Sequence, residues 1–375
     1  MKRFVTALIV AALLFAVSPS AFAISADSAG AAILIHADSG EVLYEKNSSE
    51  PMLIASTTKI MTALIVLERC SPDELVVIKP EYTGIEGSSM YLEAGQEYSV
   101  RDLLYGMMLA SGNDAATALA CYTAGSVENF VRLMNRKARA LGLEDTQFEN
   151  PHGLDAEGHH GTAHDLAVIM QAAIKNETFR AIVATKSVTI GEQTFVNHNK
   201  LLWRYDGCLG GKTGYTMAAG RSLVSVAERN GLCLICVTLS DPDDWDTHMA
   251  LYDWAFDTYC CEAVSPPEKE MPLTLISGRA ETVKVGCLDE LHVLRKKDEQ
   301  YTCKIELPPF VYAPVKRGDI LGCLTVTASG ETLGSVNICA LEDAPRDETI
   351  KLTAWERFKL SWYRTNRLGT YYPGL

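Results

Sequence analysis

The chain has no excess of positive charge. Its 375 residues carry 34 Lys and Arg against 47 Asp and Glu, a formal net charge of −13. Proteins that neutralise nucleic-acid phosphates need a basic face, so nucleic acid is excluded as the expected partner. The apolar run near the amino terminus, Phe4 to Val17, falls short of the roughly 20 residues a spanning helix needs. No internal repeat is present. Metal-ligating spacing is missing too: Cys233 and Cys236 lie three apart in a strand-like run and point to opposite faces, and Cys260 and Cys261 are adjacent. No structural metal and no cofactor are expected. The 11 cysteines, odd in number, read as small buried hydrophobes, with one or two bridges allowed in an exported protein.

What is there begins with size. A length of 375 residues exceeds the usual single domain, and 47% hydrophobic with 22% charged residues is an ordinary globular composition. Lys2 and Arg3 before the apolar run, with Ala21-Phe22-Ala23 at the cleavage positions, read as a signal peptide over residues 1–23. Export is therefore expected. Its removal leaves 32 basic against 47 acidic residues, a net charge of −15.

Two apolar-rich runs, Ala31 to His36 and Glu41 to Tyr44, flank Ala37-Asp38-Ser39-Gly40 in the pattern of a hairpin. Helical spacing marks Ser56 to Arg69, Val100 to Thr123 and Val127 to Leu141, and Leu223 to Leu239 returns to strand-like composition. Strands, then helices, then strands give an α/β or α+β body over 24–264, with one sheet covered by helices. Ser265-Pro266-Pro267-Glu268-Lys269-Glu270 is polar and proline-bearing, as linkers are. Beyond it, short alternating runs from Thr282 to Ile338, separated by turn signals such as Arg317-Gly318-Asp319, predict a small all-β, sandwich-like domain over 265–345. In the tail, 346–375, Leu352, Trp355, Phe358, Trp362 and Tyr363 form an apolar stripe with Lys351, Arg357, Arg364 and Arg367 mostly elsewhere. That pattern suits contact with a membrane interface, or docking on the protein's own body.

Three short motifs carry chemistry. Ser56-Thr57-Thr58-Lys59 opens an apolar-periodic segment, which puts Lys59 on the face of Ser56 in a helix's first turn. Burial and the positive helix end both disfavour a charged lysine, so Lys59 can accept the Ser56 proton. The plain alternative is an N-cap beside a solvated lysine. Ser111-Gly112-Asn113 lies between two apolar stretches. It is either a connecting loop or a hydroxyl that relays a proton beside an amide that holds a lysine and a substrate carbonyl. Lys212-Thr213-Gly214 is either a hairpin turn or a strand edge that offers charge and hydroxyl to a carboxylate, with Gly214 permitting close backbone approach. His152 and Asp165 allow a rival Ser-His-Asp triad, which a lysine one turn from the serine makes unnecessary.

S-x-x-K, S-D-N and K-T-G in this order are the signature of class A β-lactamases and penicillin-binding proteins. The chain resembles that superfamily, and most of all the low-molecular-mass serine D-alanyl-D-alanine carboxypeptidases, whose middle motif reads S-G-N as here. Further likeness lies in Glu86-Gly87-Ser88-Ser89-Met90, Asn150-Pro151-His152-Gly153-Leu154, Thr162 to Ala167 and Ala313 to Gly318. Around Asp243-Asp244-Trp245-Asp246 it is similar to sporulation versions of the family. The resemblance implies a transpeptidase-like body with an antiparallel sheet. It implies attack by Ser56 between two terminal D-alanines of a peptidoglycan stem peptide, Lys59 as general base, and backbone N–H groups of Ser56 and Tyr215 as the oxyanion hole. Ser111 would pass the proton to the leaving D-alanine beside Asn113, and Lys212, Thr213 and Thr216 would hold the terminal carboxylate along the Gly214 edge. β-Lactams would acylate Ser56 and leave slowly, at the outer face of the cytoplasmic membrane. Some relatives carry an arginine shortly before K-T-G; that position is His198 here. A β-lactamase and a catalytically idle wall-binding or β-lactam-sensing protein stay open as alternatives.

Overall fold

The computed structural model describes residues 25–266 and 268–349, with Ala354, Trp355 and Phe358. The expected signal peptide lies outside the described residues, as does the amphipathic stripe apart from Trp355 and Phe358, which are helical and exposed. The chain divides into two compact units: the described residues to Ala227 with Leu234–Trp254, and Glu228–Cys233 with those from Ala255 onward.

The first unit is built on a five-stranded sheet. Its strands are β1 (Ala31–His36), β2 (Val42–Lys46), β3 (Cys208–Thr216), β4 (Gly220–Arg229) and β5 (Leu232–Leu239), in the order β2-β1-β5-β4-β3. β1 pairs antiparallel with β2 and β5, and β3 pairs antiparallel with β4. The residues of strand-like composition, Leu223–Leu239, lie in two strands. Asn230 and Gly231, both at positive φ, turn the chain between them, as an Asn-Gly pair does in a tight hairpin.

Every residue of β1 is buried, which fits a strand covered on both faces and explains its unbroken apolar run. Among the described residues, seven helices of eight residues or more follow the chain, with a four-residue helix at Leu201–Arg204 besides: α1 (Lys59–Arg69), α2 (Val100–Leu109), α3 (Asn113–Ala124), α4 (Val127–Ala140), α5 (Ala163–Ala173), α6 (Glu177–Ala184) and α7 (Asp244–Thr258). α1 is the buried one, with Lys59 to Val66 all inside, packed against α3, α4 and α5. Side chains of Ser99, Ser126, Thr162 and Asn176 accept the orphan N–H groups at the starts of α2, α4, α5 and α6. The stretch of helical spacing from Val100 to Thr123 is broken at Ser111-Gly112, where the connecting loop was expected. That break is what frees Ser111 from the helical ladder.

The second unit is all-β. β6 (Tyr259–Val264) pairs with β9 (Leu291–Lys296). β7 (Met271–Ile276), β8 (Thr282–Cys287), β10 (Tyr301–Glu306), β11 (Val311–Tyr312), β12 (Ile320–Ala328) and β13 (Glu331–Ala340) form a sheet in the order β10-β12-β13-β8-β7-β11. Leu273, Val283, Val285, Val311, Leu324 and Ile338 fill one core, and Val264, Val293 and Val326 a smaller one. The proline-bearing segment near 265 follows β6, which pairs with β9. Cys70, Cys121, Cys208, Cys236, Cys260, Cys287, Cys303, Cys323 and Cys339 form no disulfide.

Candidate active site

The sequence Ile54-Ala55-Ser56-Thr57-Thr58 enters α1 through one tight 3-10 turn, Ala55–Thr58. Its threonines sustain it: Thr57 Oγ1 donates to Ile54 O at 2.6 Å and Thr58 Oγ1 to Ala55 O at 2.8 Å. His159 Nδ1 accepts from Glu149 N at 3.0 Å, so its proton sits on Nε2 and points at Thr58 Oγ1, 2.8 Å away. Burial pushes the imidazole down to about 4 and keeps it in this neutral form. Ala55, just before Ser56, holds φ of 45°, a left-handed backbone that an alanine adopts only under constraint.

Gly153 supplies part of that constraint. Its φ is +90°, and a Cβ there would lie 1.9 Å from Ala55 O. Gly214 closes the other side, where a Cβ would sit 3.1 Å from Ile54 O and 3.2 Å from Ser56 N. The Ser56 turn is thus held between two glycine backbones.

Lys59 is fully buried, and its Nζ has three neighbours: Asn113 Oδ1 at 2.7 Å, His152 O at 2.6 Å and Ser56 Oγ at 2.9 Å. The first two can only accept, so they take two N–H bonds. The third position faces the serine hydroxyl. Burial, then the nearby Lys212, hold the Lys59 amine well below the usual lysine range, with Asp114 pulling the other way. A neutral amine so placed turns its lone pair to Ser56 Oγ–H.

Ser111, in the break between α2 and α3, sits at φ of 62° and receives a 3.1 Å hydrogen bond from Lys212 Nζ. Lys212 also donates to Thr213 O at 2.8 Å, and burial pushes its amine down to about 7. Asn113 Nδ2 donates to Glu86 O at 2.6 Å and Asn113 N to Ser88 O at 2.7 Å, which ties the 86–92 loop to the start of α3. A cleft of about 560 Å³ opens here. It is lined by Ser56, Ser88, Ser111, Thr213, Gly214 and Tyr215, by Val196 to His198 with Lys200 and Trp203, and by Arg221, Asp244 and Trp245.

Thr216 stands apart from the other sequence-derived positions. Its hydroxyl donates to Asp155 at 3.0 Å and accepts from Ala219 N at 3.0 Å, closing the β3–β4 turn. His152 and Asp165 hold unrelated partners: the ring of His152 accepts from Leu154 N, and the Asp165 carboxylate accepts from Thr146 and lies against His164. Among the described residues no cluster of His, Cys, Asp or Glu is placed to hold a metal. Two site residues carried no sequence signal: Asp114 reads as an ordinary first-turn acid and Arg221 as a strand residue.

An antiparallel sheet with helices packed on it, followed by an all-β unit, is the architecture of the transpeptidase-like penicillin-binding proteins. Residues 16–243 match the D-alanyl-D-alanine carboxypeptidase family of S11 peptidases, and residues 268–346 match the C-terminal domain of penicillin-binding protein 5. D-alanyl-D-alanine carboxypeptidase DacF of Bacillus subtilis is 32% identical over 96% of this chain and 100% of its own length. DacC of Escherichia coli is 33% identical over 88% of this chain and 90% of its own. Among solved structures, penicillin binding protein 5 from Haemophilus influenzae superposes with a TM-score of 0.72 at 28% identity, over 85% of this chain and 98% of that one. The chain belongs to the D-alanyl-D-alanine carboxypeptidase family.

Proposed function

We propose that the chain removes the terminal D-alanine from peptidoglycan stem pentapeptides through an acyl-enzyme on Ser56. The family is one of serine-type hydrolases that act on peptidoglycan peptides and are targets of β-lactams. Lys59 takes the Ser56 proton as Oγ attacks the carbonyl between the two D-alanines. Backbone N–H groups of Ser56 and Tyr215 receive the developing oxyanion, a contribution of about 3 kcal/mol to the barrier in comparable sites. The proton taken by Lys59 passes through the Ser111 hydroxyl, which is bonded to Lys212, to the leaving amine as the C–N bond breaks, so Lys59 and Ser111 are both restored, and Asn113 keeps Lys59 in place. Lys212 and Thr213 sit beside the carboxylate of the departing residue, with Gly214 and the turn closed by Thr216 shaping that edge. Water then attacks the ester as Lys59 takes its proton, the bond from the carbonyl to Ser56 Oγ breaks, and that proton passes to Oγ, which frees Ser56 and the shortened peptide acid.

One observation carries this reading: the fully buried Lys59 Nζ, bracketed by two obligate acceptors, with its remaining direction aimed at Ser56 Oγ. Fluorescent penicillin should label the protein but not Ser56→Ala, and D-alanine should be released from an L-Lys or diaminopimelate pentapeptide by the former only. Rapid penicillin turnover would show a β-lactamase instead, and labelling without peptide hydrolysis an idle sensor. The reading also places the protein outside the cytoplasm, exported by residues 1–23, with segment 350–367 on the membrane surface. The catalytic body is assigned to 24–264 and the β domain to 265–345.

A further inference from the structure

The substrate proposed above ends in a free carboxylate, and the cleft has few charges to meet it. Lys212 directs its ammonium to Ser111 and Thr213 O, and burial leaves it charged only in part near neutral pH. Burial and the same lysine hold the His198 imidazole below its ordinary value, which keeps it neutral. Lys200 is solvent-exposed, so its field is screened. Arg221 is the arginine among the residues that line the cleft, and its guanidinium stays charged.

Its position follows from strand register. Arg221 on β4 pairs directly with Tyr215 on β3, and Thr213 lies two residues back on the same strand. Side chains two apart share a face, so Thr213, Tyr215 and Arg221 project from one side of the sheet. Diagonal neighbours lie roughly 7–8 Å apart, within the reach of an arginine. No described residue takes a hydrogen bond from the Thr213 hydroxyl.

The guanidinium is also aimed. Its Nη2 donates to Asp244 Oδ1 at 2.5 Å, and its Cζ lies 5.3 Å from the ring centroid of Trp245. Asp244, at the start of α7, is buried to 2% side-chain exposure, while Arg221 keeps 40%. An ion pair serving only the core would bury both partners; here one is an anchor and the other reaches into the cleft. Nη1 meets no described acceptor, and Nε is buried without one. The protein therefore leaves part of a planar donor fork unused beside a hydroxyl, and that fork matches a carboxylate.

We propose that Arg221, oriented by Asp244 and Trp245, binds the free α-carboxylate of the peptide's last residue together with Thr213, and so restricts the enzyme to peptide ends. The inference rests on the function proposed above. No bond is made or broken by Arg221; it binds and orients.

The test compares substrates with and without that charge. Wild type, Arg221→Gln, Arg221→Lys and the double variant Arg221→Gln/Asp244→Asn are assayed for D-alanine release and for acylation by benzylpenicillin and by its methyl ester. Arg221→Gln should raise KM for the free-acid peptide by about 10- to 100-fold, with kcat changed less than about 3-fold. Its acylation by the acid should slow by a similar factor and by the ester hardly at all; Arg221→Lys should recover part of the loss. Should Arg221→Gln fail to fold with Asp244 left unpaired, the double variant gives the same readout without an orphaned charge. An unchanged KM with acid still favoured over ester would overturn the inference, as would an equal loss for acid and ester, which marks a structural role. Wild type that is acylated but releases no D-alanine would defeat the functional reading instead, and the acid-to-ester ratio would still decide Arg221.

Discussion

Replacing Asp114 by asparagine is a demanding perturbation, because that carboxylate does two separable things. Its Oδ1 accepts from Met90 N at 2.9 Å and Ala115 N at 2.8 Å, and its Oδ2 accepts from Ser89 Oγ at 2.7 Å, Met90 N at 3.1 Å and Leu92 N at 3.1 Å. An asparagine can keep its oxygen at the Oδ1 position. Its NH2 then meets the Leu92 N–H donor to donor, while the Ser89 hydroxyl can turn to accept. One buried N–H left without a partner costs about 1–3 kcal/mol, and the bonds that remain lose their charge assistance. A total of about 2–4 kcal/mol lowers Tm by roughly 5–15 °C for a unit of this size.

The second effect is on Lys59. Asp114 favours the charged lysine, so removing its charge lets the amine lose its proton more easily. The neutral base then persists to lower pH, and the acid limb of kcat/KM moves down. Thermal unfolding followed by circular dichroism reads the first effect, and a pH profile of D-alanine release the second. A Tm within 1 °C of wild type, or an acid limb that stays put or moves up, would refute the reasoning.

Two further outcomes follow from buried groups. Gly153→Ala should abolish penicillin labelling, because its Cβ would overlap Ala55 O at 1.9 Å and its φ of +90° strains any L side chain; normal labelling with an intact circular dichroism spectrum would contradict this. His152, His159 and His248 are held by burial at about 3, 4 and 3. Unfolding lets each bind a proton near its ordinary value of 6.5, so the unfolded state carries more protons below that pH. Stability is present above about pH 6.5 and falls as pH drops toward 3, by up to about 1.4 kcal/mol per pH unit for each histidine. Urea midpoints equal at pH 7 and pH 4.5 would rule that out.

Much of the site was legible because its key pair is local: Ser56 and Lys59 are three apart at a helix start, and the periodicity of Ile60 to Val66 set the face they share. The other two motifs could be placed only as a loop between helices and a strand edge, which is where they lie. What sequence could not show were the partners chosen in three dimensions. Thr216 looks like part of the substrate edge, yet its hydroxyl goes to Asp155, far away in the chain. Asp114 is one acid among many until the 88–92 backbone folds over it. Arg221 has meaning only through its register with Tyr215 and its pairing with Asp244. In the fold, the Asn230-Gly231 turn splits a stretch that composition alone runs together. The hairpin of Ser187–Ile190 and Gln193–Val196 and helix α7 went unassigned, being short or mixed in character.

Ser56 as the acylated group, activated by Lys59, is the claim on which the rest depends, and mass spectrometry of the penicillin adduct tests it most directly. After brief exposure to benzylpenicillin and proteolysis, the added mass should sit on Ser56, and Ser56→Ala should take up none. An adduct on another residue, or D-alanine release that survives in Ser56→Ala, would contradict the account.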